Sequence, residues 1–364
     1  MPKRESSSYH PTVLLTGAGG SAAANCLDAL RRSTAAYRVI GIDASPIFLH
    51  LSTADERYVT TRSDDSRYAE QLREIIEHTR SDVLHPQPDP DVLAIGAIRD
   101  DLDVGTYLPS QHALADASDK AAFAAVMAAK GVGVPESIEY ATFDSVPERT
   151  AYLLERHERV WIRARTGAGA RASLPVRSPD QASAWVKWWI DEKGLSASDF
   201  MAAEFLPGRE FAYQSVWQNG ELLAGQARER LQYLYGHLTP HGQTSTPAVA
   251  RTVAEPGVDD LAIRAIRALD SSPCGAFCVD IKEAANGRRL VTEINAGRFF
   301  TTSNFFAAAG VNMPDMLVRC ALGERPPRLG TSPLRPDLYW IRMVDMGYQL
   351  VPGEALHAWS DPNT

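Results

Sequence analysis

An Asn-Gly pair at positions 286–287 separates two runs in which apolar and polar residues alternate, 276–283 and 289–295. Both residues tolerate positive φ, so the pair reads as a two-residue hairpin turn between strands. A turn fixed there sets every cross-strand partner: Asp280 faces Glu293, and Cys278 faces Asn295. The period of two puts Asp280, Glu293 and Asn295 on one face, with Phe277, Val279, Ile281, Leu290, Thr292 and Ile294 on the other. Opposed Cβ atoms lie about 5 Å apart, where two carboxylates repel by roughly 3 kcal/mol at an effective dielectric of about 20. No cation faces the pair directly, because Lys282 is set opposite Val291. A partly buried face has reason to keep two such acids when a cation sits between them. Two carboxylates and an amide oxygen form an all-oxygen set, which suits Mg²⁺ carrying phosphates better than zinc. A solvated hairpin face is the competing reading, and a one-residue slip would part the acids.

The rest of the chain narrows the classes. At 364 residues it calls for two or three subdomains. A formal net charge of −8 argues against a general binder of nucleic acid or anionic membrane. No run of 18 apolar residues exists to span a bilayer, and the polar N-terminus lacks an apolar signal core, so a cytoplasmic location is expected. The four cysteines (Cys26, Cys274, Cys278, Cys320) sit in apolar contexts and read as buried free thiols. The nine histidines show no metal-binding spacing.

Residues 11–115 alternate strands (12–16, 38–43, 82–85) with helices (22–32, 68–79), the pattern of a doubly wound parallel sheet. Pro86, Pro88 and Pro90 then predict a rigid loop at a strand's carboxyl end, where open α/β sheets bind ligands. A helix over 118–130 follows, stopped by Gly131 and Pro135. Residues 136–200 read as a small α+β unit, in which Trp185, Trp188 and Trp189 form a packing stripe. Strands are expected at 201–205, 210–217 and 225–230, then a long polar connection over 231–250, a helix at 258–269 and a Pro-rich end with one strand at 338–344.

Two glycine clusters compete for attention. Gly17-Ala-Gly19-Gly-Ser-Ala22 follows a strand and opens a helix, and Asp43 ends the next strand 21 residues beyond Ala22. That is the dinucleotide fingerprint, and it supports an NAD-binding oxidoreductase. A tight crossover of the same fold needs such glycines without any NAD, and the chain offers no hydride-transfer apparatus. The second cluster, Gly167-Ala-Gly169, is flanked by Arg163, Arg165 and Arg171. Small residues let backbone N–H groups approach phosphate, and arginines add charge. No Gly-Lys-Ser/Thr follows, so it is not a Walker loop.

Taken in order over residues 12–325, these pieces resemble the ATP-grasp superfamily, in particular its carbamoyl-phosphate-synthetase-like and carboxylate–amine ligase members. Ser118-Asp-Lys120 looks like the segment whose cation contacts ATP phosphates, and 161–173 like the basic strand and glycine-rich lid loop. Ala203-Glu204-Phe205-Leu206-Pro-Gly208-Arg-Glu210 is similar to the interdomain hinge. Asp280 and Glu293-Ile-Asn295 match the family's metal ligands, and 308–314 resembles the segment after them.

The resemblance implies a fold and a chemistry. The fold is α/β: a Rossmann-like parallel-sheet domain (1–115), an ATP-grasp small lobe with the lid (116–200), a large lobe with the metal site (201–330) and a C-terminal extension (331–364). The implied activity is ADP-forming ligation of a small, amino-acid-like carboxylate to an amine through an acyl phosphate. A small-molecule kinase or a carbamoyl- or carboxy-phosphate-forming enzyme is the alternative. Lys120, Arg163, Gly167 and Gly169 would serve the phosphates, Glu204, Phe205 and Leu206 the adenine, and Glu210 the ribose. Asp280, Glu293 and Asn295 would hold Mg²⁺, or Mn²⁺ in its place. The substrate carboxylate needs a cation: Arg298 is nominated, with Arg230 and Arg228 in reserve, and Tyr233, Tyr235 and His237 are set over the acceptor site. A monomer and a homodimer are both left open. The chain departs from the family in Asn295-Ala-Gly-Arg298, where many members have Asn-Pro-Arg, and in a lid loop without lysine.

Overall fold

A computed structural model describes residues 10–167, 172–244, 246–344 and 348–355. It contains three sheets. The first is the expected parallel sheet, of β1 (Thr12–Thr16), β2 (Arg38–Asp43), β3 (Glu56–Val59), β4 (Val83–His85) and β5 (Gly105–Thr106), in the order β3-β2-β1-β4-β5. Its outer strands β3 and β5 escape the sequence because they are short and carry no continuous apolar run. The order turns back at β1, so the crevice beside β1 and β4 is the switch point where such sheets bind ligands. Pro86 and Pro88 lie in the expected loop, but Pro90 does not. Pro90 lies in the first turn of a helix, Asp89–Ile98, where its missing N–H costs nothing.

The second sheet is antiparallel: β6 (Ser137–Glu139), β7 (Val160–Ala164), β8 (Leu174–Val176) and β9 (Phe200–Glu204), in the order β6-β9-β7-β8. The third holds β10 (Glu210–Gln218), β11 (Glu221–Tyr233), β12 (Pro247–Val253), β13 (Gly275–Glu283), β14 (Arg289–Ala296), β15 (Gly330–Thr331), β16 (Leu338–Arg342) and β17 (Tyr348–Pro352). Its main path runs β14-β13-β10-β11-β12-β16-β17. One face carries Phe211, Tyr213, Trp217, Phe277, Val279 and Ile281, which pack under the amphipathic helix Pro256–Leu269. That burial frees the opposite face of β10, β11 and β13 for charged side chains.

Further corrections are local. The helix expected over 118–130 is Lys120–Ala129, opened where the Asp119 carboxylate accepts from the N–H groups of Ala121 and Ala122, and a further helix, Gln111–Ser118, precedes it. The tryptophan stripe is only half core: Trp185 and Trp189 pack into the small-lobe cluster, while Trp188 stacks on Trp185 and stays exposed. Among the described residues, no helix is long and apolar enough to cross a membrane.

The parallel sheet buries one titratable group at its ligand-binding edge. His85 ends β4, lies against the Phe299 ring at 5.5 Å, and is pushed by burial down to about 4. Its folded value therefore lies below the ordinary 6.5, so the unfolded chain takes up the proton first. Stability should be full above pH 6.5 and fall by at most roughly 3 kcal/mol as the pH drops toward 4. Thermal melts of wild type and His85→Leu across that range test this: the variant should lack the acid-sensitive increment.

Candidate active site

The hairpin that opens the sequence argument is β13–β14. Asp280 pairs with Glu293 and Cys278 with Asn295, as the Asn-Gly turn predicts. The turn itself is one residue longer. Ala284 N–H bonds the Arg288 carbonyl, and Gly287 takes φ +80° in a three-residue loop. This shifts the pairs nearest the turn to Ile281–Val291, Lys282–Leu290 and Glu283–Arg289. A bulge at Thr292 then restores the expected phase, with the Thr292 hydroxyl donating to the Asp280 carbonyl at 3.1 Å. Leu290 and Thr292 consequently leave the core face, and Val291 takes the place expected for them.

Asp280 and Glu293 stand in a cleft of about 220 Å³ between the second and third sheets. Lys120, Arg163 and Gly167 line it from one side. Glu204, Phe205 and Leu206 come from the segment leaving β9, Glu210 from β10 and Arg230 from β11. Asn295 and, just beyond β14, Arg298 complete it. Gly169 and Arg171 lie outside the described residues. Residues dispersed over nearly 180 positions of sequence thus share one wall-to-wall space.

The acids are not without cations, contrary to the reading from the hairpin alone. Arg163 Nη2 donates to Glu293 Oε2 at 2.9 Å, and Arg230 Nη2 lies 2.6 Å from Asp280 Oδ1. The hairpin could not reveal them because they come from β7 and from β11, two strands away across the sheet. Burial pushes the Glu293 carboxyl up, but Lys120 and Arg163 outweigh it and hold the group below its ordinary range. Asp280 goes the other way: burial raises it, Arg230 offsets this in part, and Glu293 raises it further. The two acids therefore share the face unequally. Lys120 Nζ donates to the Gly167 carbonyl at 2.7 Å and ties the start of the glycine-rich segment to the cleft. Arg165 is withdrawn from phosphate duty, being paired with Asp119 at 2.7 Å and Glu139 at 2.8 Å.

The donor set fits a divalent cation bound with phosphates. Asp280 Oδ1 is buried without an aligned hydrogen bond, although the arginine is near. Among the described residues, no cluster of three or more His, Cys, Asp or Glu side chains could hold a metal by itself. Two carboxylates and one amide are an all-oxygen donor set, whose chemistry would suit Mg²⁺ bound with phosphates better than a softer metal. Asn295 Oδ1 accepts from Arg298 Nη2, so that arginine helps to orient the amide.

Arg298 itself is buried and makes a bidentate pair with Asp89, the first residue of the helix after β4. Burial lowers the guanidinium's pKa, and Asp89 more than restores it. No sequence signal singles out Asp89, although it falls in the proline-rich segment at the ligand-binding edge. Glu210 reaches the cleft but is occupied: Lys282 lies 2.6 Å away, and Gln243 and Tyr233 donate at 2.6 and 2.5 Å. Of the three residues set over the acceptor site, only Tyr233 lines the cleft; Tyr235 and His237 do not. His241 instead meets the Trp161 ring at 5.1 Å, with Phe205 at 6.2 Å from the same ring, a wall suited to a flat base. No spacing rule could have selected His241 or Gln243 from the long polar connection that carries them.

The N-terminal glycines have a different explanation. A Cβ on Gly17 would lie 2.5 Å from Pro88, and one on Gly19 would lie 2.6 Å from the Phe48 backbone. Asp43 accepts from the N–H groups of Gly19 at 2.9 Å and Ser45 at 2.7 Å. Close packing against Pro88 and Phe48 accounts for glycine at both positions, and the Asp43 carboxylate is spent on the loop's own N–H groups. Gly19→Ala should cost about 1–3 kcal/mol by overpacking against backbone, read as a lower melting temperature. The wild type should show no NAD binding by calorimetry; NAD binding that the substitution removes would contradict this account.

No protein-family model matches the chain, and no curated protein matches it in sequence. Solved structures do. Biotin carboxylase from Campylobacter jejuni, in complex with β,γ-ATP, superposes with a TM-score of 0.67 at 14% identity, over 90% of this chain and 74% of that one. Carboxyaminoimidazole ribonucleotide synthase from Aspergillus clavatus with ATP gives 0.68 at 17% identity, over 91% and 81%. L-amino acid ligase from Bacillus licheniformis gives 0.67 at 13%, over 92% and 79%. The fold of this chain is the ATP-grasp fold, preceded by a parallel-sheet unit.

Proposed function

We propose that the chain is an ADP-forming carboxylate–amine ligase acting on a small carboxylate. The observation that carries this is the cross-strand pair Asp280–Glu293, set in one cleft with Lys120, Arg163 and Arg230. The fold neighbours named above lend support to the class, two of them having been solved with ATP or β,γ-ATP. In this reading Asp280, Glu293 and Asn295 hold Mg²⁺, or Mn²⁺ in its place, which when bound neutralises charge on the β- and γ-phosphate oxygens. Lys120 and Arg163 serve the remaining phosphate oxygens, and Gly167 and Gly169 belong to the segment that covers them. Glu204, Phe205 and the Leu206 backbone take the adenine against Trp161, and Glu210 fixes the ribose side through Tyr233, Gln243 and Lys282.

Phosphoryl transfer asks for alignment and charge neutralisation rather than a protein nucleophile. A carboxylate oxygen of the substrate bonds to the γ-phosphorus as the bridging oxygen leaves with ADP. The amine nitrogen then attacks the acyl carbon, and inorganic phosphate departs. Arg298, steadied by Asp89, receives the carboxylate, with Arg230 beside it. Purified protein given Mg²⁺, ATP and paired panels of carboxylates and amines tests the proposal by ADP release. Release only when both partners are present is the expected result. Release with a carboxylate alone would favour a kinase or an acyl-phosphate former, and none with any pair would overturn the reading.

A further inference from the structure

Behind the cleft lies a set of buried polar groups that the ligase chemistry leaves unused. Arg228, on β11, is 1% exposed, and among the described residues its side chain's only hydrogen bond is from Nη1 to the Thr302 carbonyl at 3.2 Å. Its Nε and Nη2 have no partner, and no carboxylate pairs with it among the described residues. The contrast with its neighbours is sharp: Arg163, Arg230 and Arg298 each hold an acid. Burial, then the nearby Arg230 charge, push the Arg228 guanidinium down to about 9. A buried cation with open donors is costly unless something anionic meets it.

The surroundings extend the point. Thr302 Oγ1 and Ser303 Oγ are buried without partners among the described residues, and so are the carbonyl oxygens of the Asn304 and Gln214 side chains. Gln214 is on β10, one position along the same face from Ala212, the residue paired with Arg228. Asn304 cannot simply turn its amide, because its nitrogen donates to Asp28. The orphans are thus of two kinds: N–H and O–H donors that want an anion, and carbonyl acceptors that want a cation. Ala212 pairs on its other side with Asp280, so Arg228 stands about 10 Å from the metal acid along one row of the sheet. Phe300 separates the two regions. Its ring lies 5.1 Å from both the Arg228 and Arg230 guanidinium carbons, and it forms part of the cleft wall.

We infer that these groups form a second subsite, behind Phe300, for the zwitterionic head of an α-amino acid substrate. This rests on the ligase reading and names the substrate class. The non-reacting α-carboxylate meets Arg228 Nε and Nη2 with the Thr302 and Ser303 hydroxyls. The α-ammonium meets the Asn304 and Gln214 carbonyl oxygens. The remainder of the molecule, or of its co-substrate, projects past Phe300 toward Asp280 and Glu293.

Calorimetric titration tests this with the twenty proteinogenic L-amino acids, their decarboxylated amines and their 2-hydroxy acid counterparts. Each is titrated with and without saturating Mg²⁺ and a non-hydrolysable ATP analogue. At least one amino acid should bind, and loss of either head group should weaken it at least about tenfold. Arg228→Met should weaken that amino acid about 10- to 150-fold and leave nucleotide affinity within about twofold. Thr302→Val removes a hydroxyl with no protein partner, so it should not lower the melting temperature, yet it should weaken the amino acid several-fold. A cluster that merely holds structural water would give the opposite pattern: Arg228→Met shifts the melting temperature, both variants bind amino acid as the wild type does, and the inference falls. No amino acid binding, with nucleotide bound normally, overturns it too. Absence of nucleotide binding would instead strike the ligase reading, and amino acid titrations without nucleotide still decide the subsite.

Discussion

Glu293→Gln is expected to abolish Mg²⁺-dependent ADP release, by at least about a hundredfold, while the protein stays folded. The substitution keeps the size of the side chain and removes one of the two charges on the Asp280–Glu293 face. Glu293 is the acid kept ionised by Lys120 and Arg163, so it is the firmer anchor of the pair. Relief of repulsion eases Asp280, but Arg163 and Lys120 lose the charge they face, so the melting temperature should fall. Steady-state ADP release as a function of Mg²⁺ concentration makes the comparison. Undiminished activity in this variant would remove the metal assignment.

Arg163→Met is the second large effect, and it separates structure from chemistry. The guanidinium is buried and bonded to Glu293, so deleting it leaves a buried carboxylate with one cation fewer. Breaking such a pair costs about 3–5 kcal/mol. ADP release should fall about 10- to 150-fold as well, from the lost charge-assisted contact with phosphate. The double variant Arg163→Met/Glu293→Gln should regain much of the stability and none of the activity. That non-additivity is the signature of a direct pair. If the double variant melts no higher than Arg163→Met alone, the pair is not what holds Arg163 in place.

How far the sequence reaches depends on whether a rule is local. The Asn-Gly hairpin could be read pair by pair because a turn and a period of two suffice, and its one error, the Thr292 bulge, arose from a loop one residue longer than supposed. The parallel sheet was visible in its buried inner strands and missed at β3 and β5, where strands are short. Lys120, the 204–206 segment and Glu210 were named through the order of motifs, and they line the same cleft as the acids. Tertiary pairing was out of reach. Nothing near Arg298 announces Asp89 across 209 positions, and nothing near Asp280 announces Arg230. The glycines at 17–19 show the converse hazard: a strong local motif satisfied by packing against Pro88 and Phe48.

Calorimetric titration of the wild-type protein with ATP and with NAD, each with and without Mg²⁺, tests the central claim most directly. ATP binding that strengthens at least about tenfold when Mg²⁺ is added, is lost in Glu293→Gln, and has no NAD counterpart is the predicted result. NAD binding, or ATP affinity indifferent to both Mg²⁺ and Glu293, would contradict the account.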